Sequence, residues 1–147
     1  MTADAALTPK GELCIRTIAM PADTNPSGDI FGGWLMSQMD LAASTIAHRR
    51  SHGRAATIAV DAMTFHSPVF VGDEVTLYGT LVSEGRTSMR IAVEAWRRAR
   101  HDEIITKVTE ANFVFVAIDN NRRSRPLDAP EAWQPPQDTR TRGGDGG

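Results

Sequence analysis

Chemistry in this chain is concentrated in one run, Asn25-Pro26-Ser27-Gly28-Asp29-Ile30-Phe31-Gly32-Gly33-Trp34. The run is rich in turn formers and leads straight into a helical apolar pattern, which carries a carboxylate, Asp40, about two turns in. A Gly32-Gly33 pair at a helix start leaves backbone N–H groups open to a ligand, and the helix dipole favours negative charge there. A carboxylate farther along the same helix is placed to act as a base near that point. An anion-stabilising site plus a base is the minimal equipment for transferring an acyl group to water.

Each of these positions also has a plainer role. Asp40 lies roughly 120° around the helix from the apolar stripe, where a solvated surface carboxylate would sit. Its neighbours Met36, Met39, Leu41 and Ala43 are apolar, however, and Asp is a mediocre former of helix interiors. A carboxylate held beside apolar groups is the stronger base. Asn25 precedes Pro26 and suits a turn; its amide is equally suited to orienting a water or a carbonyl. Gly28, Gly32 and Gly33 serve unusual backbone angles or, for Gly33, offer an N–H to a developing oxyanion. Gly85-Arg86-Thr87-Ser88 is a hairpin turn whose cationic tip and two hydroxyls also suit a phosphate. Asn120-Asn121-Arg122-Arg123-Ser124-Arg125 is either a solvated basic end or a polyphosphate contact. The four His and one Cys show no metal-ligand spacing. There is no Gly-x-Ser-x-Gly elbow, P-loop or Rossmann fingerprint.

The elements that must position these groups follow from periodicity. Residues 12–20 read as a first strand ended by Pro21. A helix runs from Gly32 or Gly33 to Arg50, with Leu35, Met39, Ala42 and Ile46 forming one stripe and Gly53 as its stop. Four strands follow, over 57–66, 75–83, 88–98 and about 104–118, with period-2 alternation and regular turns that favour an antiparallel sheet. One helix cannot cover both faces of five strands, so the other face and the edges need a partner or a polar coat. A homodimer is the natural solution.

With 147 residues, 41% hydrophobic and 23% charged, one ordinary core is expected. The net charge of −2 argues against a protein built mainly for nucleic acid. The lone Cys14, in a strand, excludes an internal disulfide framework and suits a reducing compartment. No apolar run approaches the ~18 residues of a membrane span, and no signal-peptide pattern opens the chain, so a cytoplasmic protein is expected. Residues 1–11 are expected to fray, and 126–147, rich in Pro and Gly, to form a largely disordered tail.

The chain resembles the acyl-CoA thioesterases of the hotdog fold, most closely the bacterial YciA type, over about residues 12–125. The resemblance is carried by Arg16-Thr17-Ile18-Ala19-Met20-Pro21, by Asp23-Thr24 and the run from Asn25 to Trp34, and by Met36-Ser37-Gln38-Met39-Asp40. Val71-Gly72-Asp73, Gly85-Arg86-Thr87-Ser88 and Phe115-Val116-Ala117-Ile118-Asp119-Asn120-Asn121 follow in order. It implies an α+β fold in which a five-stranded antiparallel sheet wraps a long central helix. It also implies dimers joined edge to edge, often assembled into trimers of dimers, with active sites at the dimer interface. The family's catalytic Asp falls on Asp40, and its catalytic Asn on Asn25, supplied by the opposite subunit. The carbonyl-polarising Gly is Gly33 or Gly32. Coenzyme A contacts fall on Gly85, Arg86, Thr87 and Ser88, and on Arg122, Arg123 and Arg125, with Arg123 standing where the family usually has Gly. The implied substrate is acyl-CoA and the implied chemistry uses no metal or prosthetic group. Two rivals share the fold: an enoyl-thioester hydratase or dehydratase, for which His66 is the strand histidine beside an apolar face, and a non-catalytic acyl-CoA-binding protein.

Overall fold

The computed structural model describes residues 8–128. Strand β1 (Glu12–Ile18) is followed by a turn of 3-10 helix at Pro21–Asp23, helix α1 (Gly32–Ser51), and strands β2 (Ala55–Phe65), β3 (Glu74–Glu84), β4 (Ser88–Arg98) and β5 (Ile105–Ala117). All neighbouring strands are antiparallel, in the order β1-β3-β4-β5-β2. β1 and β2 are therefore the two edges. This is the arrangement that the hotdog resemblance implies.

The alternation seen in the sequence decides which sheet face meets the helix. Met89, Ile91, Val93 and Ala95 of β4 and Phe113, Phe115 and Ala117 of β5 all point at α1 and are buried. The helix answers with Leu35, Met39, Ala42, Ala43, Ile46 and Ala47. Each large side chain removed from water there contributes about 1.5–3 kcal/mol. The opposite sheet face is coated with charge. Lys107 pairs with Glu94 and Glu110, Trp96 Nε1 donates to Glu94 at 2.9 Å, and Arg90 pairs with Asp61.

β2 is irregular. Its register against β5 shifts between Thr57 and Ala59 and again between Asp61 and Thr64, and Ala62 takes a φ of 55°. Apolar side chains along this edge stay in water, with Ile58 61% exposed.

Four expectations are corrected. Gly53 is not the left-handed residue that ends α1: His52 takes that conformation (φ 50°, ψ 43°). Glycine is needed at 53 because a Cβ there would lie 2.5 Å from the Arg125 guanidinium. Arg125, expected at a phosphate, is 5% exposed and turned inward. It donates to the carbonyls of Ile118 (2.9 Å), Ser51 (2.9 Å) and Arg54 (3.2 Å), so it clamps the end of α1, the start of β2 and the segment after β5. Packing also extends past residue 125. Leu127 is 2% exposed and its N–H donates to Arg86 O, while Asp128 pairs with Arg50 at 3.1 Å. At the other end, Lys10 N–H donates to Glu94 and Gly11 (φ +104°) packs its backbone on Gly79, so residues 10 and 11 are held rather than frayed. The expected N-terminal fraying over 1–7 and the tail from 129 onward lie outside the described residues.

Arg50 also grips Glu84 through two bonds of 2.7 Å and holds that carboxyl below the usual carboxylate range. The contribution is present above that range and is lost as pH falls through it.

Arg125→Met keeps the length of the side chain but removes the guanidinium donor from the carbonyls of Ile118, Ser51 and Arg54, the last of which keeps its bond from Ile118 N–H. It is expected to lower the unfolding free energy by about 2–4 kcal/mol, read by urea denaturation.

Candidate active site

The first turn of α1 has no side-chain cap: Phe31 occupies the N-cap, and the first amide to find a helical carbonyl is Leu35 N–H, on Phe31 O at 3.3 Å. The amides of Gly32, Gly33 and Trp34 thus sit at the positive end of the helix dipole. An ideal Cβ placed on Gly33 would meet nothing within 4 Å. Packing within the protomer therefore does not explain glycine at 33; the space its side chain would take is open. Gly32 is different, because the Phe65 ring stands 3.3 Å from where its Cβ would be.

Gly33, Met36, Ser37 and Asp40 share one face of α1 at helical spacing. With Thr57, Val60 and Phe113 they line a cleft of about 310 Å³ between the helix and edge strand β2. The carboxylate of Asp40 accepts a hydrogen bond of 2.5 Å from Thr57 Oγ1. Asp40 is thus a half-buried group held against β2 rather than a solvated one. An N–H cluster and a fixed carboxylate on one cleft form the arrangement expected for acyl transfer to water.

Asn25 does not line this cleft. Its side-chain oxygen accepts from Ser27 N–H (2.9 Å) and Asp29 N–H (3.0 Å) and so organises its own loop. That loop abuts the helix start through Phe31 N–H on Asp23 O at 3.1 Å. The Gly85-Arg86-Thr87-Ser88 turn and the segment after β5 are brought together: Thr87 O accepts from Ala117 N–H and Arg86 O from Leu127 N–H. Arg86, Arg122 and Arg123 are exposed there, and Arg122 takes a left-handed φ of 61°. His66 lines a separate cavity with Asp29, Phe31 and Gly32, on the other flank of the helix start. Cys14 lies on the far edge strand, and burial pushes its thiol up, away from a reactive thiolate. Among the described residues no three His, Cys, Asp or Glu side chains cluster as a metal site, and no helix is long and apolar enough to cross a membrane.

Thr57 was not singled out by the sequence. It looks like any strand threonine, and its partner lies 17 residues away across the α1–β2 turn.

Residues 27–104 match the thioesterase superfamily. The chain belongs to that superfamily. It is 51% identical over 123 residues to the acyl-CoA thioester hydrolase YciA of Salmonella typhimurium, a match that covers 82% of this chain and 92% of that protein. Among solved structures, the hexameric thioesterase y2039 of Yersinia pestis is 46% identical at a TM-score of 0.80, over 83% of this chain and 99% of that one. The hexameric broad-specificity acyl-coenzyme A thioesterase HI0827 is 49% identical at a TM-score of 0.78, over 82% and 83%. In this thioesterase-superfamily chain the long helix and five-stranded sheet are those of the hotdog fold.

Because the protomer leaves room above Gly33, Gly33→Ala is expected to fold and to match or exceed the parent's thermal stability, by up to about 1 kcal/mol from helix propensity. A thermal melt checks this.

Proposed function

We propose that this protein hydrolyses acyl-CoA to a carboxylic acid and free coenzyme A. The observation that carries the reading is the cleft of about 310 Å³ that Gly33 and Asp40 line together. The thioester carbonyl oxygen accepts from the Gly33 N–H, with Gly32 beside it. Asp40 takes a proton from a water as the water oxygen attacks the carbonyl carbon. The oxyanion of the tetrahedral intermediate is stabilised by the amides and the helix dipole. Collapse breaks the C–S bond, and the leaving thiolate recovers the proton. Thr57 keeps the carboxylate aimed at the cleft and is a positioning residue.

The second subunit belongs to the same reading. β2 is a free edge beside the cleft, with Ile58, Val60 and Phe65 exposed along it and Met36 and Leu41 on the adjoining helix flank. A two-fold pairing of β2 edges about their middle carries the partner's strand end towards Thr57 and Asp40. In each protomer that strand end touches the helix start, beside the Asn25 loop. Such a pairing lets Asn25 from one subunit orient the water or carbonyl in the other. Relatives that are hexameric support further assembly into a trimer of dimers. Gly85, Arg86, Thr87, Ser88, Arg122 and Arg123 are the positions retained for coenzyme A contacts; Arg125 is not, given its inward clamp. The reaction needs no added metal or prosthetic group in this scheme, and the single cysteine suits a cytoplasmic setting.

Asp40→Asn should keep the unfolding curve and lower kcat by about 100- to 10,000-fold in a thiol-release assay. Near-parental turnover by the folded variant rejects the base assignment. Arg86→Ala should raise KM for CoA esters several-fold while sparing thioesters that lack the nucleotide; equal loss on both counts against a phosphate role.

A further inference from the structure

We propose that Leu127 is a positioning residue: the segment after β5 straps the β3–β4 turn to the core, and this strap sets the direction of the Arg86 side chain. The inference rests on the reading of Arg86 as a phosphate contact and deepens it by naming what holds that side chain in place. Leu127 falls in the stretch expected to form a disordered tail, and no role in binding is assigned to it above.

The strap follows from Arg125-Pro126-Leu127. Proline fixes its own φ and biases the residue before it away from helix, so the chain leaves Arg125 stretched out. Arg125 and Leu127 are 5% and 2% exposed, whereas Pro126 between them is only partly covered. The Leu127 side chain joins the hydrophobic core that holds α1 against the sheet. Its backbone N–H donates to Arg86 O at 3.0 Å. One residue farther on, Asp128 pairs with Arg50, which also grips Glu84 at the end of β3. The Asp128 carboxylate is almost bare to water, so its pair contributes little, and the buried leucine is the anchor.

The turn itself is tied at three backbone points. Gly85 N–H donates to Ser88 O at 2.8 Å and closes the turn on itself. Ala117 N–H donates to Thr87 O at 2.9 Å and fixes the turn to β5. Of the three, the bond from Leu127 is the one that reaches Arg86. The Arg86 side chain is exposed, long and flexible, and its planar guanidinium matches a phosphate only in certain orientations. On a loose hairpin tip such a group loses much freedom when it meets its anion; on a carbonyl anchored to the core it loses less. Leu127, buried as it is, touches no ligand and acts through Arg86.

The test uses the purified full chain. Thiol release is followed with an acyl-CoA and with the same acyl group on N-acetylcysteamine, which lacks the nucleotide. Leu127→Ala should raise KM for acyl-CoA about fivefold, with kcat within about twofold and unchanged kinetics on the short thioester. Leu127→Met, which refills the core, should restore the parental KM. Val93→Ala, a truncation equally buried in the middle of β4, should lower thermal stability and leave KM in place. In Arg86→Ala/Leu127→Ala, KM should be no higher than in Arg86→Ala, because the two residues act as one unit. Should Leu127→Ala unfold, Leu127→Val is read in the same way. A folded variant with parental KM, equal loss on both esters, or effects that multiply in the double variant overturns the proposal. Arg86→Ala with parental KM rejects the phosphate contact itself and the strap's role with it, whereas a raised KM there beside a parental one in Leu127→Ala overturns the strap only. A parent protein that releases no thiol from either ester fails the hydrolysis reading alone, because calorimetric titration of the same variants with coenzyme A still reads the coupling.

Discussion

The rotation of α1 about its own axis is the constraint on which the rest of the molecule depends. Leu35, Met39, Ala42, Ala43, Ile46 and Ala47 are pressed onto the concave face of the sheet, and Met39 is fully buried. Close packing leaves the helix no freedom to roll. With Met39 facing the core, the next residue points about 100° away, and the flank it reaches is the one beside β2. Asp40 is thereby delivered to Thr57, and Gly33, two turns earlier on the same flank, to the same cleft. The core's apolar side chains do no chemistry, yet they determine where the carboxylate stands.

Much of this was legible in the chain because it obeys short-range periodicities. Alternation along β4 and β5 and the stripe on α1 are each repeated several times, so isolated exceptions do not blur them. What escaped was set by contacts between residues far apart in sequence. Arg125 sits among basic neighbours and looks solvated, but a left-handed turn at Arg122 and a bridge from Ile118 to Ser124 direct its guanidinium under the helix end. Gly53 has the composition of a helix stop, whereas its need for a missing Cβ comes from that guanidinium. Thr57 carries no local mark at all. In the cleft, Gly33 and Asp40 on the helix were readable from the sequence, while Thr57 on the strand required the fold.

The distribution of charge and apolar surface reinforces the same division. The sheet face away from α1 is covered by ion pairs among Arg90, Asp61, Glu94, Lys107 and Glu110, which individually contribute little to stability but keep that face wet. The exposed apolar side chains beside the cleft lie instead on β2 and the helix flank. Solvation thus marks one surface as outer wall and leaves another unfinished.

The two breaks in the register of β2 have a bearing on that unfinished edge. A smooth, flat edge strand would accept almost any extended chain and invite open-ended growth of the sheet. A strand kinked at two places, one of them carrying an alanine in a left-handed conformation, presents its donors and acceptors with gaps in their spacing. Few sequences can satisfy such an interrupted ladder. The irregularity therefore guards the edge, steering the molecule away from the fibrous ribbons that bare β-edges otherwise seed.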